Sequence, residues 1–225
     1  FPSPADPLYL LGYPVVALAL YFLIRGRRPR HDVAGWLDSA IVTAALGLLS
    51  WVFLARPTLT NYQESPLAAA VAVAYPIGDI LIVGLAVRLI TTPGGRTASF
   101  RLLLTAITAL LTVDTLASSL DLLTFESTAA INFLWLASYV FWGTAALHPT
   151  MRDLSQQSTA ADDEFTRKRL LALTLAVLVA PGTLAAEWIV GDRLDVWAVV
   201  IGSVVMFLLV VSRMYVAIDQ IAAAN

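Results

Sequence analysis

Four carboxylate residues fall inside long apolar stretches of this sequence: Asp79, Asp114, Asp121 and Glu187. A charged side chain at the centre of a bilayer costs about 2.5–3.5 kcal/mol on insertion scales, so each of them needs a physical reason to be there. Asp114 and Asp121 are seven residues apart and therefore share one face of a helix. Carboxylates placed in this way can bind a small ligand, a lipid headgroup or protons.

Aromatic and amide side chains fall at similar or slightly shallower depth. They are Tyr13, Tyr75, Asn132, Trp135 and Tyr139. Following the direction of each apolar stretch, Asp79 and Asp114 lie near mid-membrane, while Asp121 and Glu187 lie in the outer half. The sequence therefore predicts a ligand-binding cavity that opens to the outside and is formed by these nine residues.

The alternative is that the same groups only join helices by hydrogen bonds, worth about 0.6 kcal/mol each in membranes. For Asp121 and Glu187 the two interpretations weigh equally, because interfacial water could reach both side chains. The depth of Asp79 and Asp114 favours a functional or network role.

The elements that carry these residues are membrane spans. Hydrophobic residues make up 59% of the 225 and charged residues only 13%, against about 45–50% and 25% in a soluble domain. Mean hydropathy is +0.78. Runs of about 20 apolar residues cross a bilayer as helices, which satisfy every backbone amide internally. The predicted spans are Leu8–Ile24, Trp36–Leu54, Leu67–Ile90, Phe100–Phe125, Ala129–Leu147, Leu170–Val190 and Leu194–Val216. We therefore predict an all-α, polytopic membrane bundle of about seven helices.

The basic residues predict the orientation of the bundle. Twelve of the fourteen Lys and Arg residues fall at one end of these spans, and the other end has only Arg56 and Arg193. Cytoplasmic loops carry the excess of positive charge. We therefore expect a multi-pass protein of the inner (plasma) membrane, with the N-terminus outside and the C-terminus in the cytoplasm.

A weak internal repeat runs through the spans. Ser3-Pro4 is followed ten residues later by Tyr13-Pro14, and Ser65-Pro66 ten residues later by Tyr75-Pro76, with the two copies 62 residues apart. This spacing predicts repeated helical hairpins, with Tyr139 at the corresponding place in a third unit. The first span is then the second half of a unit, so we expect a partner helix upstream.

The last span continues past the membrane without a helix breaker. Met214, Ala217, Ile218 and Ile221 keep a helical apolar stripe. We assign residues 1–218 to the membrane bundle and 219–225 to the start of a signalling helix or linker. This helix is placed to join a cytoplasmic output domain in the same chain, or a coiled coil in a homodimer.

Several functions find no support in the sequence. The chain has no cysteine and a net charge of −2, which excludes thiolate chemistry and gives no basic field for a nucleic acid. His31 and His148 lie in or beside the basic loops, which argues against metal ligation. The only lysine, Lys168, is outside the spans, which excludes a retinal Schiff base. We expect no enzyme activity and no cofactor; the expected partners are the lipid bilayer and a small-molecule or lipid ligand.

Three segments resemble a known family. Phe1–Pro14 (FPSPADPLYLLGYP), Leu46–Phe53 (LGLLSWVF) and Ala74–Asp79 (AYPIGD) are similar to the multi-helix N-terminal membrane regions of bacterial GGDEF/EAL proteins, which make or degrade cyclic di-GMP. The resemblance covers chiefly residues 1–90. It implies a sensory bundle that precedes a cytoplasmic signalling domain. No GGDEF or EAL motif occurs in this sequence, so no catalytic residue is implied.

The sequence therefore favours a membrane-embedded sensory module that relays a signal through its last helix. A small transporter or channel is the rival hypothesis, because mid-membrane carboxylates and repeated hairpins also occur in such proteins. It predicts a polar path through the inner half of the bundle. A passive anchor or dimerisation platform is the third hypothesis, and it predicts no cavity.

Overall fold

The computed structural model describes residues 2–27, 32–61, 65–122, 129–156, 165–190 and 195–224. Every regular element in these ranges is helical. The α-helices are α1 (Asp6–Arg27), α2 (Val33–Ser50), α3 (Arg56–Asn61), α4 (Pro66–Thr91), α5 (Ala98–Leu122), α6 (Ala129–Leu147), α7 (Phe165–Val190) and α8 (Val196–Ala224). A π-helical turn, Trp51–Ala55, connects α2 with α3, and a 3₁₀ helix, Pro149–Ser155, follows α6.

Seven helical stretches of the described residues are long and apolar enough to cross a membrane. They coincide with the seven predicted spans, so the all-α, multi-pass bundle is confirmed. The predicted span ends Phe125 and Leu194, like the loop residues His31 and Arg193, lie outside the described residues.

One predicted boundary was wrong. Arg56-Pro57 was expected to end the second span, but the helix continues to Thr60 and this span is 28 residues long. The N–H of Arg56 bonds to the carbonyl of Trp51, five residues earlier, which closes the π-helical turn. Pro57 then falls in the first turn of α3, where a proline is tolerated.

The helices pack in two groups around two apolar cores. Leu20, Ile82 and Ile107 belong to the first core, which joins α1, α4, α5 and α6. Ile41, Ala180 and Met206 belong to the second, which joins α2, α7 and α8. α2 also packs against α4 and so connects the two groups.

The outward faces of the helices are strongly apolar. Phe133 is 68% exposed, Val140 66% and Leu175 65%, and none of these side chains has cover within the described bundle. Large exposed apolar surfaces are rare on soluble monomers but are what a lipid-facing surface requires.

The predicted hairpins appear as packed pairs, α2 with α4 and α5 with α6. Both Ser-Pro pairs precede a helix: Ser65 accepts a hydrogen bond from the N–H of Ala68, and Ser3 from the N–H of Ala5. The missing upstream helix and the 62-residue repeat as such stay predictions.

Buried ionic contacts mark one end of the bundle, here called the arginine-rich end. Arg88 pairs with Asp32 at 2.9 Å, and Arg213 with Asp38 at 2.9 Å. Arg27 is 3% exposed and donates to the carbonyls of Leu154, Leu89 and Gly95. Polar anchors therefore fix the ends of α1, α2, α4 and α8 on this side.

Candidate functional site

The site begins where α1 crosses α4. The hydroxyl of Tyr13 donates to Oδ1 of Asp79 at 2.9 Å. The ring of Tyr13 lies directly on the backbone of α4 at Gly78, because a Cβ atom at that position would be 2.4–2.6 Å from three atoms of the ring. Gly78 has no side chain and therefore leaves the space in which the Tyr13 ring reaches Asp79, the residue that follows Gly78 in α4.

A second, reciprocal contact joins the same two helices farther from the arginine-rich end. The hydroxyl of Tyr75 on α4 donates to Oδ1 of Asp6 on α1 at 2.7 Å, while Oδ2 of Asp6 accepts the N–H of Ser3 at 2.6 Å. The rings of Tyr13 and Tyr75 pack edge to face, with centroids 6.3 Å apart and planes at 73°, a favourable aromatic arrangement. Each helix thus supplies one tyrosine and one carboxylate to the other.

The α5–α6 hairpin adds the third contact. The indole N–H of Trp135 on α6 donates to Oδ1 of Asp114 on α5 at 2.7 Å. Asp114 in turn lies close enough to Asp79 and Tyr13 to interact with both electrostatically. Four helices therefore meet at one group of side chains, here called the central cluster: Asp6, Tyr13, Tyr75, Asp79, Asp114 and Trp135.

Asp79 and Asp114 form no ion pair with a basic side chain of the described residues. In the same part of the chain, no group of three or more His, Asp or Glu residues has the arrangement of a metal site. Asp79 and Asp114 are only partly buried, whereas Asp6 is 7% exposed. The cluster is thus rich in acceptors and lies beside a partly open surface.

A closed apolar layer separates the central cluster from the arginine-rich end. Leu20 and Ile24 of α1 belong to this layer, as do Ile82 and Leu89 of α4; all four are at most 3% exposed. Ile107, Leu103 and Phe100 continue the layer on α5. The central cluster and the ion pairs of the arginine-rich end therefore lie on opposite sides of this layer.

Five of the nine predicted site residues come together in the central cluster: Tyr13, Tyr75, Asp79, Asp114 and Trp135. Asn132 and Tyr139 flank Trp135 on α6, three residues before it and four after it; both are exposed, and Tyr139 is near enough to Asp114 to interact with it electrostatically. The side chain of Asp121 lies outside the described part of the structure. Among the described residues, no hydrogen bond joins Asn132 or Tyr139 to the central cluster.

Glu187 belongs to a different group of residues. It is 5% exposed and pairs with Arg56 at 3.6 Å, and its Oε1 accepts the N–H of Asp195 at 3.3 Å. Arg56 also pairs with Asp195 at 3.6 Å, and the indole N–H of Trp51 donates to that carboxylate at 3.1 Å. This contact joins the second span to α7 and α8. The structure therefore does not bring Glu187 to the central cluster, because its partners belong to the second span and to the start of α8.

Asp6 is the member of the central cluster that the sequence analysis missed. It lies before the first predicted span, Leu8–Ile24, but it precedes Tyr13 by seven residues and so shares its helix face. Tyr75 and Asp79 are four residues apart, which places them on one face as well. The combination of these two spacings is the signal that could have indicated a reciprocal pair.

Comparison of the chain with protein-family models, with curated proteins and with solved structures gives no match to any of them. The resemblance to membrane regions of GGDEF/EAL proteins therefore stays a hypothesis that rests on the quoted segments alone.

Proposed function

We propose that the protein is a membrane-embedded sensory module that recognises its stimulus at the central cluster. The observation that carries the proposal is the proximity of Asp79 and Asp114, from two different helices of the membrane bundle, while no ion pair among the described residues involves either of them. Carboxylates at membrane depth are costly and commonly mark ligand, ion or proton sites. Tyr13 and Trp135 hold them in place.

The hydrogen-bonding pattern indicates the chemistry of the stimulus. The donors of Tyr13 and Trp135 already point at the carboxylates, so a ligand finds acceptors here rather than donors. An ionised carboxylate offers about four lone-pair sites, of which these contacts use a fraction. The aromatic rings of Tyr13 and Tyr75 beside the carboxylates add surfaces that attract cations. A small cationic group or a proton fits this environment best.

The relay to the output helix passes through α2. The main neighbours of α8 are α2 and α7, and α2 is also the helix of the second group that packs most extensively on α4, the helix of Asp79. α2 holds α8 near both ends, through Asp38 and Arg213 on one side and through Trp51 and Asp195 on the other. A shift of α4 on ligand binding is therefore transmitted to α8 by α2. The family resemblance would make the output domain an enzyme of cyclic di-GMP metabolism.

A transporter has less support. It needs a polar path between the two ends of the bundle, and the apolar layer of Leu20, Ile82 and Ile107 interrupts such a path, since each of these side chains is at most 2% exposed. A passive anchor has less support as well, because the hydrogen bonds from Tyr13 and Trp135 would not require two neighbouring carboxylates at membrane depth.

The test joins α8 to a reporter enzyme and measures its output in cells. Asp79→Asn and Asp114→Asn keep the shape of each side chain but remove its charge, and we expect either change to abolish the response to external acid or to tetramethylammonium. Asp153→Asn is the matched control, since Asp153 is in the 3₁₀ helix at the arginine-rich end and bonds to Gln156. This variant should respond as the parent does.

Protein amount and membrane insertion must be equal in all variants, which immunoblotting of membrane fractions measures. A reporter that ignores both substitutions in a correctly inserted protein would rule out the central cluster as the sensory site. Measurable flux of a solute in proteoliposomes would instead support a transporter.

A further inference from the structure

The central cluster is open on one side, between α1 and α6. α1 packs on α4 and α6 packs on α5, whereas α1 and α6 have no extensive contact with each other in the described part of the chain. Tyr13 of α1 reaches Asp79 on α4, and Trp135 of α6 reaches Asp114 on α5. The two carboxylates therefore lie at the bottom of a groove whose walls are α1 and α6, here called the α1–α6 groove.

Each wall carries a second aromatic residue one helical turn from the first. Tyr9 precedes Tyr13 by four residues on α1, and Tyr139 follows Trp135 by four residues on α6, so each pair shares a helix face. Tyr9 is near enough to Tyr139 for an electrostatic interaction across the groove, and Tyr139 is near enough to Asp114 for another. Tyr9 and Tyr139 therefore form the rim of the groove.

Helix packing does not account for these two rings. Tyr9 is 58% exposed and Tyr139 49%, although each lies on the same helix face as a partly buried member of the central cluster. Exposed tyrosines are ordinary at a membrane interface. That role alone gives no reason for two different helices to place them beside the same carboxylates.

The groove offers negative charge and aromatic surface to a ligand. Two neighbouring carboxylates repel an anionic group, and a hard metal ion needs about six oxygen ligands. Among the described residues, no group of three or more His, Asp or Glu is arranged as a metal site. A proton needs neither an open groove nor an aromatic rim. An organic cation is the class of ligand that uses both features.

We propose that the α1–α6 groove binds an alkylated ammonium group, with its charge beside Asp79 and Asp114 and its alkyl groups against the rings of Tyr9 and Tyr139. Aromatic faces attract a cation that lies within about 6 Å of the ring centroid, and quaternary ammonium groups are typical ligands of such aromatic sites. The inference rests on the proposed sensory site and names the class of its ligand.

Binding is measured on the purified full chain in a maltoside detergent, which carries no ammonium group. Choline and tetramethylammonium are the probes, and 3,3-dimethylbutanol is the matched control because it has the shape of choline without the charge. A ligand that binds the folded state raises the midpoint of thermal unfolding with its concentration. We expect a saturable increase with both cations and none with the alcohol, and Asp114→Asn should abolish the increase.

Substitutions at the rim test the aromatic contacts. Tyr9→Ala and Tyr139→Ala each remove one ring and should raise the dissociation constant of choline about 2–30-fold, as expected for one cation–π contact. Tyr9→Phe and Tyr139→Phe keep the ring and should bind as the parent does, which a role of the hydroxyl group would not allow. Tyr21→Ala is the matched control, because this α1 residue packs on Phe22, eight and nine residues beyond Tyr13.

The ammonium group can belong to a lipid headgroup or to a free solute, and nanodiscs distinguish these two sources. A choline headgroup would already occupy the groove in phosphatidylcholine discs, so free choline should then bind more weakly there than in phosphatidylglycerol discs. Saturable binding of equal strength in both discs would show that the ligand comes from solution. Either result supports an ammonium ligand.

Equal midpoint shifts with choline and 3,3-dimethylbutanol would overturn the proposal, because they would show an apolar groove without selectivity for charge. So would the lack of a saturable shift with either cation, or unchanged affinity in both alanine variants when their ligand-free midpoints equal that of the parent. Choline binding with a silent reporter in cells would refute the sensory role and leave the ligand class standing. A reporter response to acid without choline binding would do the reverse.

Discussion

Gly78→Ala tests the contact between α1 and α4 with a single methyl group. The added Cβ would lie 2.4 Å from Cδ1, 2.5 Å from Cγ and 2.6 Å from Cε1 of Tyr13, whereas real Cβ contacts essentially never fall under 3.0 Å. These three atoms belong to one rigid ring, so a rotation of the terminal group cannot relieve the clash. The ring must leave the surface of α4, and its hydroxyl then loses Asp79.

The expected cost follows from three contributions. Overpacking of a well-packed contact costs about 1–3 kcal/mol, and the lost interhelical hydrogen bond costs about 0.6 kcal/mol in membranes. Replacing glycine by alanine inside a helix recovers about 0.5–1 kcal/mol. The variant should therefore be destabilised by roughly 1–3 kcal/mol, and its sensory response should be lost as well.

The assay is thermal unfolding of the purified protein in detergent. The quantity measured at each temperature is the fraction of protein that remains monodisperse after heating. A change of 1 kcal/mol moves the midpoint by roughly 2–4 °C for a chain of this size. Gly143→Ala and Gly182→Ala are the matched controls, because a Cβ atom at either position meets nothing within 4 Å. Their midpoints should equal that of the parent or lie slightly above it.

The result that would refute this reasoning is a Gly78→Ala midpoint equal to those of the two controls. A double variant gives an independent check. In a Tyr13→Ala background the obstructing ring is absent, so adding Gly78→Ala should cost nothing further. Additive losses in the double variant would show that the clash with Tyr13 is not the cause.

Two more substitutions probe the contacts that hold the helices together. Trp135→Phe removes the donor to a membrane-embedded carboxylate and should lower stability by about 0.6–1.7 kcal/mol, while Trp188→Phe, at a residue that is 77% exposed, should be silent in the same unfolding assay. Arg213→Ala takes away the 2.9 Å ion pair of a carboxylate that is 4% exposed, and losses of about 3–5 kcal/mol are usual when such a pair is broken. Adding Asp38→Asn should restore part of that loss; no recovery would show that the pair itself contributes little.

Much of the architecture was accessible from the residues alone. Seven apolar runs and an excess of arginine at one end specify seven helices and group their ends, since a bilayer admits few other structures. The one wrong boundary, at Arg56-Pro57, arose because a proline that ends most helices falls here at the start of α3, after a π-helical turn. Hydropathy carries no signal for that turn.

The sequence named most of the residues of the candidate site, but it did not indicate which of them are in contact. The prediction placed Asp79, Asp114 and Glu187 in one site because the position of a residue along its span gives its height in the membrane and not its position around the bundle. Only the packing of helices in two groups decides that Asp79 meets Asp114 while Glu187 meets Arg56 on the other side.

The sequence by itself determined that carboxylates would lie in the membrane and near which depth, because each helix fixes the height of its own residues. The tertiary structure decided which of them touch. Asp6 joined the central cluster because rotation about each helix axis is set by contacts such as that of Gly78 with Tyr13. Such contacts join residues that are distant in sequence, and periodicity within one helix cannot specify them.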